Sequence, residues 1–141
     1  MADITPTPAN VIAPNANTSI RIAGETITAG AFVYIDTQDS DKVKLAQADG
    51  TALQANVYGV AAEGATAGQP IVIVISGDIT YGSSAFIGAG VPFVLSAAAG
   101  KMCLDSDLVN TNYLTKIGHS ISTTVLRLGI LPTGMVCAGR S

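Results

Sequence analysis

The chain predicts an all-β fold: a compact small β-barrel or β-sandwich of about eight to ten short strands, carrying an extended N-terminal arm. Two observations carry this. Val, Ile and Thr number 40, whereas Glu, Lys, Gln and Arg together number 13, so strand formers outweigh the residues that normally clothe exposed helix faces. In addition, short β-rich runs alternate with turn residues at nearly regular intervals.

Taken in order, the runs are Ser19 to Ala23, Ala31 to Asp36, Lys42 to Ala46, Val57 to Ala61, Pro70 to Ser76, Ile79 to Tyr81, Pro92 to Leu95, Lys101 to Leu104, Tyr113 to Ile117 and Thr124 to Leu131. Between them stand Gly24, Asp39-Ser40-Asp41, Asp49-Gly50, Gly64, Gly77-Asp78, Gly82-Ser83-Ser84, Gly100 and Pro132-Thr133-Gly134. These residues tolerate positive φ or bond their own backbone, and so read as turns. Only Ala46 to Val57 and Ser96 to Val109 could hold a helical turn, and Asp49-Gly50 and Gly100 interrupt them. One loop recurs: Thr28-Ala29-Gly30, Thr66-Ala67-Gly68 and Ala89-Gly90 each deliver the chain into an apolar strand. The unequal spacing argues for repeated hairpin chemistry rather than a solenoid.

The organisation expected is an arm, residues 1–18, followed by a single β domain, residues 19–141. The arm holds three prolines, three asparagines and one charge. Pro6, Pro8 and Pro14 favour an extended, polyproline-like backbone. Ile4, Val11 and Ile12 are its branched apolar residues. They give it something to bury on a neighbouring subunit or a partner, although a frayed terminus is the plain alternative.

Charge is scarce, at 12% of residues against roughly 25% in ordinary soluble domains, with a net charge of −3. Ample apolar mass excludes disorder over the whole length. The acidic balance offers phosphates nothing to condense on, so no nucleic-acid partner is expected. The apolar runs are far shorter than the ~20 residues of a membrane helix, so no membrane partner is expected either. The N-terminus lacks the basic start and apolar middle of a secretory signal, which implies synthesis and folding in a cytoplasm.

The shortage is concentrated: from Gly50 to Gly100 the only charges are Glu63 and Asp78. Within that stretch Ile71-Val72-Ile73-Val74-Ile75 shows no alternation, so both faces of the strand must be covered. Core can cover both, or a sister subunit can cover one, which makes Ile71, Ile73 and Ile75 candidates for self-association.

No residues assemble a catalytic site. The single His119 lies in Gly118-His119-Ser120-Ile121-Ser122, which puts His at a free position of the Gly-x-Ser-x-Gly elbow and Ser where the motif needs its last Gly. Asp36, Asp39 and Asp41, like Asp105 and Asp107, lack the loop Gly and terminal Glu of a calcium loop and read as solvated turn residues. Gly88-Ala89-Gly90 lacks the Lys-Ser/Thr of a phosphate loop. No enzyme activity, cofactor or metal is therefore expected. Cys103 and Cys137 have no metal-ligand spacing and read as buried thiols in a reducing compartment, with a disulfide as the alternative.

Several short segments together resemble a known family. They are Ala29-Gly30-x-x-Val33-Tyr34, Val57-Tyr58-Gly59-Val60-Ala61, Ala67-Gly68-Gln69-Pro70-Ile71, Gly77-Asp78-Ile79, and Leu114-x-x-Ile117-Gly118-x-Ser120-x-Ser122 before Val125-Leu126-Arg127-Leu128. From about Gly24 to Leu131 the chain resembles the small capsid decoration, or cement, proteins of tailed bacteriophages. The resemblance implies a compact β domain on the outside of the virion capsid, bound to the major capsid protein and stabilising the shell. It also implies a homo-oligomer, usually a trimer and sometimes a dimer, and an extended terminal arm. A phage head fibre or adhesin-like domain holding a host surface glycan is the alternative. Such a domain needs aromatics in a concave polar site, and Tyr34, Tyr58, Tyr81 and Tyr113 are the available ones.

Overall fold

The structure, a computed structural model, describes residues 17–81, 86, 88–104, 108 and 112–137. Among them the chain is all-β, one curled antiparallel sheet forming a half-barrel. Nine strands make it: β1 (Asn17–Ile22), β2 (Phe32–Asp36), β3 (Lys42–Leu45), β4 (Val57–Ala61), β5 (Pro70–Thr80), β6 (Pro92–Leu95), β7 (Met102–Cys103), β8 (Tyr113–Ser120) and β9 (Val125–Val136). The order across the sheet is β3-β2-β4-β5-β9-β8-β6-β7, with β1 also paired to β5.

Strand β5 joins the two halves. Its first part, Pro70 to Ser76, pairs with β1 and β4, and its last part, Gly77 to Thr80, pairs with β9. The sequence reads Gly77-Asp78 as a turn between two strands; in the structure it is a bend within one. Gly77 takes φ +103° and turns the strand without breaking its ladder, because Leu128 and Arg127 of β9 pair with Gly77 and Asp78. A second correction concerns the boundary of the domain. Asn17 and Thr18, assigned to the arm, are paired residues of β1.

The N-terminal half curls until its ends meet: past β1, Ala23 bridges Val43 of β3, and the Gly24 amide donates to the Val43 carbonyl at 2.8 Å. Inside this ring lies a cluster of Ala23, Ile27, Val33, Val43, Ile71 and Ile73. The other face of the same strands presents Phe32, Tyr34, Val60 and Val74 to a larger cluster, completed from the C-terminal half by Tyr81, Phe93, Leu95, Ile117 and Leu126. Phe86 links Tyr81 and Phe93 through tilted ring contacts at 5.6 and 5.3 Å. Two cores on opposite faces of the N-terminal half explain why β5 begins as an unbroken apolar run.

This arrangement corrects part of the self-association reading. Ile71 and Ile73 are fully buried in the smaller cluster, covered by their own chain. Ile75 alone of the three reaches solvent, because Asn17 pairs with Ser76 and Thr18 with Val74, which leaves Ile75 as a bulged residue.

The recurring loop behaves as one device. Gly30, Gly68 and Gly90 have φ of +89°, +88° and +80°, a region open to glycine at little cost, and each loop releases its chain into or just before a strand. The Gly30 carbonyl also accepts a 2.8 Å hydrogen bond from the buried Tyr81 hydroxyl, tying the loop before β2 to the end of β5. Cys103 and Cys137 are buried thiols.

Candidate functional site: the exposed apolar surface

Strand β1 alternates, and its alternation points the unexpected way. Ser19 and Arg21 turn toward the ring of β4, where the Arg21 guanidinium lies 5.0 Å from the centre of the Tyr58 ring. Hydrogen bonding from Ser19, then the Arg21 cation, hold the Tyr58 hydroxyl below the usual tyrosine range. Ile20 and Ile22 consequently face solvent, Ile20 at 72% exposure. Their partners across the ladder are Val72 and Pro70, so the surface continues as an apolar strip onto β5.

A second apolar surface lies at the far end of β9, where Leu131, Met135 and Val136 are exposed. The sequence reads Pro132-Thr133-Gly134 as a turn, whereas β9 runs through it. Register shifts against β8 between Tyr113 and Thr115 absorb the extra residues. Gly134, at φ +68°, provides the local kink.

The polar residues singled out in the sequence serve the fold. Ser120 is fully buried, and its hydroxyl donates to the Gly88 carbonyl and accepts from the Val91 amide. Asp36 and Asp39 lie 2.9 and 3.1 Å from the Lys44 ammonium, and the Asp36 side chain also accepts the Gln38 amide at 3.0 Å. Ser40 and Asp41 complete this tight turn with positive φ. Among the described residues no group of three His, Cys, Asp or Glu side chains converges as a metal site would require. Asp105 and Asp107 lie outside the described residues, as do the arm residues Ile4, Pro6, Pro8, Val11, Ile12 and Pro14 and the turn at Gly82-Ser83-Ser84.

Of the four tyrosines available for a glycan platform, Tyr34 and Tyr81 are buried in the larger core. Burial pushes the Tyr81 hydroxyl far above the ordinary tyrosine range. Tyr58 is occupied by Arg21.

The charges fix a pH response. Lys44 holds the Asp36 carboxyl below the usual aspartate range, and the bidentate Arg127, at 2.9 and 3.2 Å, does the same for Asp78. A depressed folded pKa stabilises the native state fully above the unfolded value and is lost as pH falls through the folded one. Stability should therefore decline below the ordinary aspartate range. Tyr81 acts in the opposite sense: its raised folded pKa leaves stability intact below the unfolded tyrosine value and erodes it as pH climbs beyond about 10. Thermal melts across pH check both limbs. Asp36→Asn with Asp78→Asn should flatten the acid limb, and Tyr81→Phe the alkaline one.

Comparison of the sequence with models of known protein families and with curated proteins found no match.

Proposed function

We propose that the chain is a structural protein of a phage virion, a decoration or cement protein that binds the outer surface of the capsid and stabilises the shell. The observation that carries this reading is the strip of Ile20, Ile22, Pro70 and Val72. It is apolar and uncharged, and it lies on the strand into which residues 1–16 lead. A contiguous apolar patch exposed on a sheet face marks a surface that a partner covers. A protein that meets a shell needs it open.

The mechanism is thermodynamic. A clamp that binds the assembled shell but not free capsid subunits stabilises the assembly by linkage, and many copies acting together multiply a modest affinity. Burial of the strip contributes about 25 cal/mol per Å² before association costs are subtracted. The resemblance in sequence supports a homotrimer as the working form, with a dimer as the alternative. With Ile71 and Ile73 sealed inside, self-contact falls to Ile75, the β1 strip and the end of β9. A glycan-binding role has weaker support, because Tyr34 and Tyr81 are committed to the core.

Quantitative mass spectrometry of purified virions tests the reading directly. Hundreds of copies per particle are expected, and a few copies would sink it. Deletion of residues 1–16, which leaves β1 intact, should lower retention on shells and lower the particles' heat resistance. Unchanged retention would assign the arm no part in binding. Sedimentation should show a trimer, and a monomer at about micromolar concentration would remove self-association from the account.

A further inference from the structure

The outer face of the C-terminal half carries a groove of about 570 Å³ whose lining includes Pro92, Val94, Leu114, Lys116, His119 and Gly129. The ladder explains its shape. One row of cross-strand neighbours runs Pro92, His119, Arg127, Asp78, and another runs Val94, Lys116, Leu131. Between these rows the sheet is bare because Gly118 and Gly129 have no side chains.

The two glycines differ in what their own fold asks of them. A Cβ on Gly118 would stand 2.1 Å from the Arg127 carbonyl oxygen, so packing requires glycine there. A Cβ on Gly129 would meet nothing within 4 Å, and its φ is not positive. Gly129 and Ile130 lie between the pairs Lys116–Leu131 and Gly118–Leu128, opposite Ile117 alone, so β9 bulges here, and glycine at the bulge leaves the space above it open to another backbone.

The rims carry hydrogen-bond donors, one of them a cation. Lys116 stands exposed on one side and His119 on the other. The nearest acid across the ladder, Asp78, already has both oxygens engaged by Arg127. On a chain of net charge −3, this is a local apolar floor between basic groups.

We infer that the groove between the Lys116 and His119 rows, floored by Gly129, docks an extended segment of a partner protein that alternates apolar and acidic residues. The groove crosses β6, β8 and β9, a span of about 10 Å at the usual strand spacing, which suits three or four extended residues. The apolar side chains settle over Gly129 and against Pro92 and Leu114, while a carboxylate receives the Lys116 ammonium and the His119 ring N–H. The inference stands apart from the decoration reading: it is tested on the isolated chain, so either can fail without the other.

Three capped heptapeptides serve as probes in an amide NMR titration, alternating Val with Glu, Val with Lys, and Ser with Glu. The Val/Glu peptide should give saturable shifts at Lys116, Gly118, His119 and Gly129 at about 1 mM or below. Gly129→Leu should melt at or above the parent temperature, because the new side chain enters open space, yet weaken binding at least about tenfold. Lys116→Gln, a surface change that leaves the packing alone, should weaken binding severalfold and flatten its salt dependence. Equal binding of all three peptides, no saturable shift with the Val/Glu peptide, or undiminished binding by both variants would overturn the inference.

Discussion

Gly59→Ala is expected to lower the melting midpoint by roughly 10 °C. Gly59 lies in β4 opposite Val33 of β2. An added Cβ would stand 2.4 Å from the Val74 carbonyl oxygen and 2.6 Å from Cγ2 of Ile73. The first of these atoms is backbone in the neighbouring strand, and the second belongs to a fully buried side chain, so neither can swing aside. The adjoining strands must separate, which strains the ring around the smaller core and loosens the ladder that carries β5. Overpacking costs about 1–3 kcal/mol, and a rigid backbone atom in the way puts this site at the upper end, a large share of the ~5–15 kcal/mol that holds a domain together. A melt within a few degrees of the parent would mean that β4 and β5 are not so closely apposed at this point.

Much of this architecture can be read from the residues, and the failures have a common physical source. Val57–Ala61 and Pro92–Leu95 are strands over the same residues that the apolar runs mark, because turn residues flank both. Gly77-Asp78 and Pro132-Thr133-Gly134 carry equally strong local turn signals, but long-range pairing with Leu128 and Arg127 in one case and with β8 in the other draws them into strands. Local chemistry proposes a turn, and the ladder decides whether the chain takes it. The exposed apolar strip is harder to read for a related reason. Ser19-Ile20-Arg21-Ile22 shows that β1 has two unlike faces, but an alternating pattern does not say which face the protein covers. Ordinary expectation sends isoleucine inward. Here Arg21 and Ser19 find Tyr58 on the inner side, and isoleucine is left outside.

That inversion yields the sharpest contrast between two chemically similar side chains. Ile73→Ala should destabilise the isolated chain by about 2–5 kcal/mol, since it opens a cavity in a small closed cluster where Ile73 is fully buried and Val33, Ala61 and Ile71 cannot easily collapse inward. Ile20→Ser, at 72% exposure, should move stability by no more than about 0.5 kcal/mol. The ranking should reverse when the measured quantity is association. Ile20→Ser removes the more exposed isoleucine of the apolar strip and should reduce both shell retention and self-association, whereas Ile73→Ala should reduce them only as far as it reduces the folded population. Thermal melts of the isolated variants, set beside sedimentation and shell-binding assays below the melting range, separate the two effects. If Ile73→Ala abolished association while the chain stayed folded, β5 would have to open to meet a partner, and the strip on β1 would lose its place as the surface proposed to meet the shell.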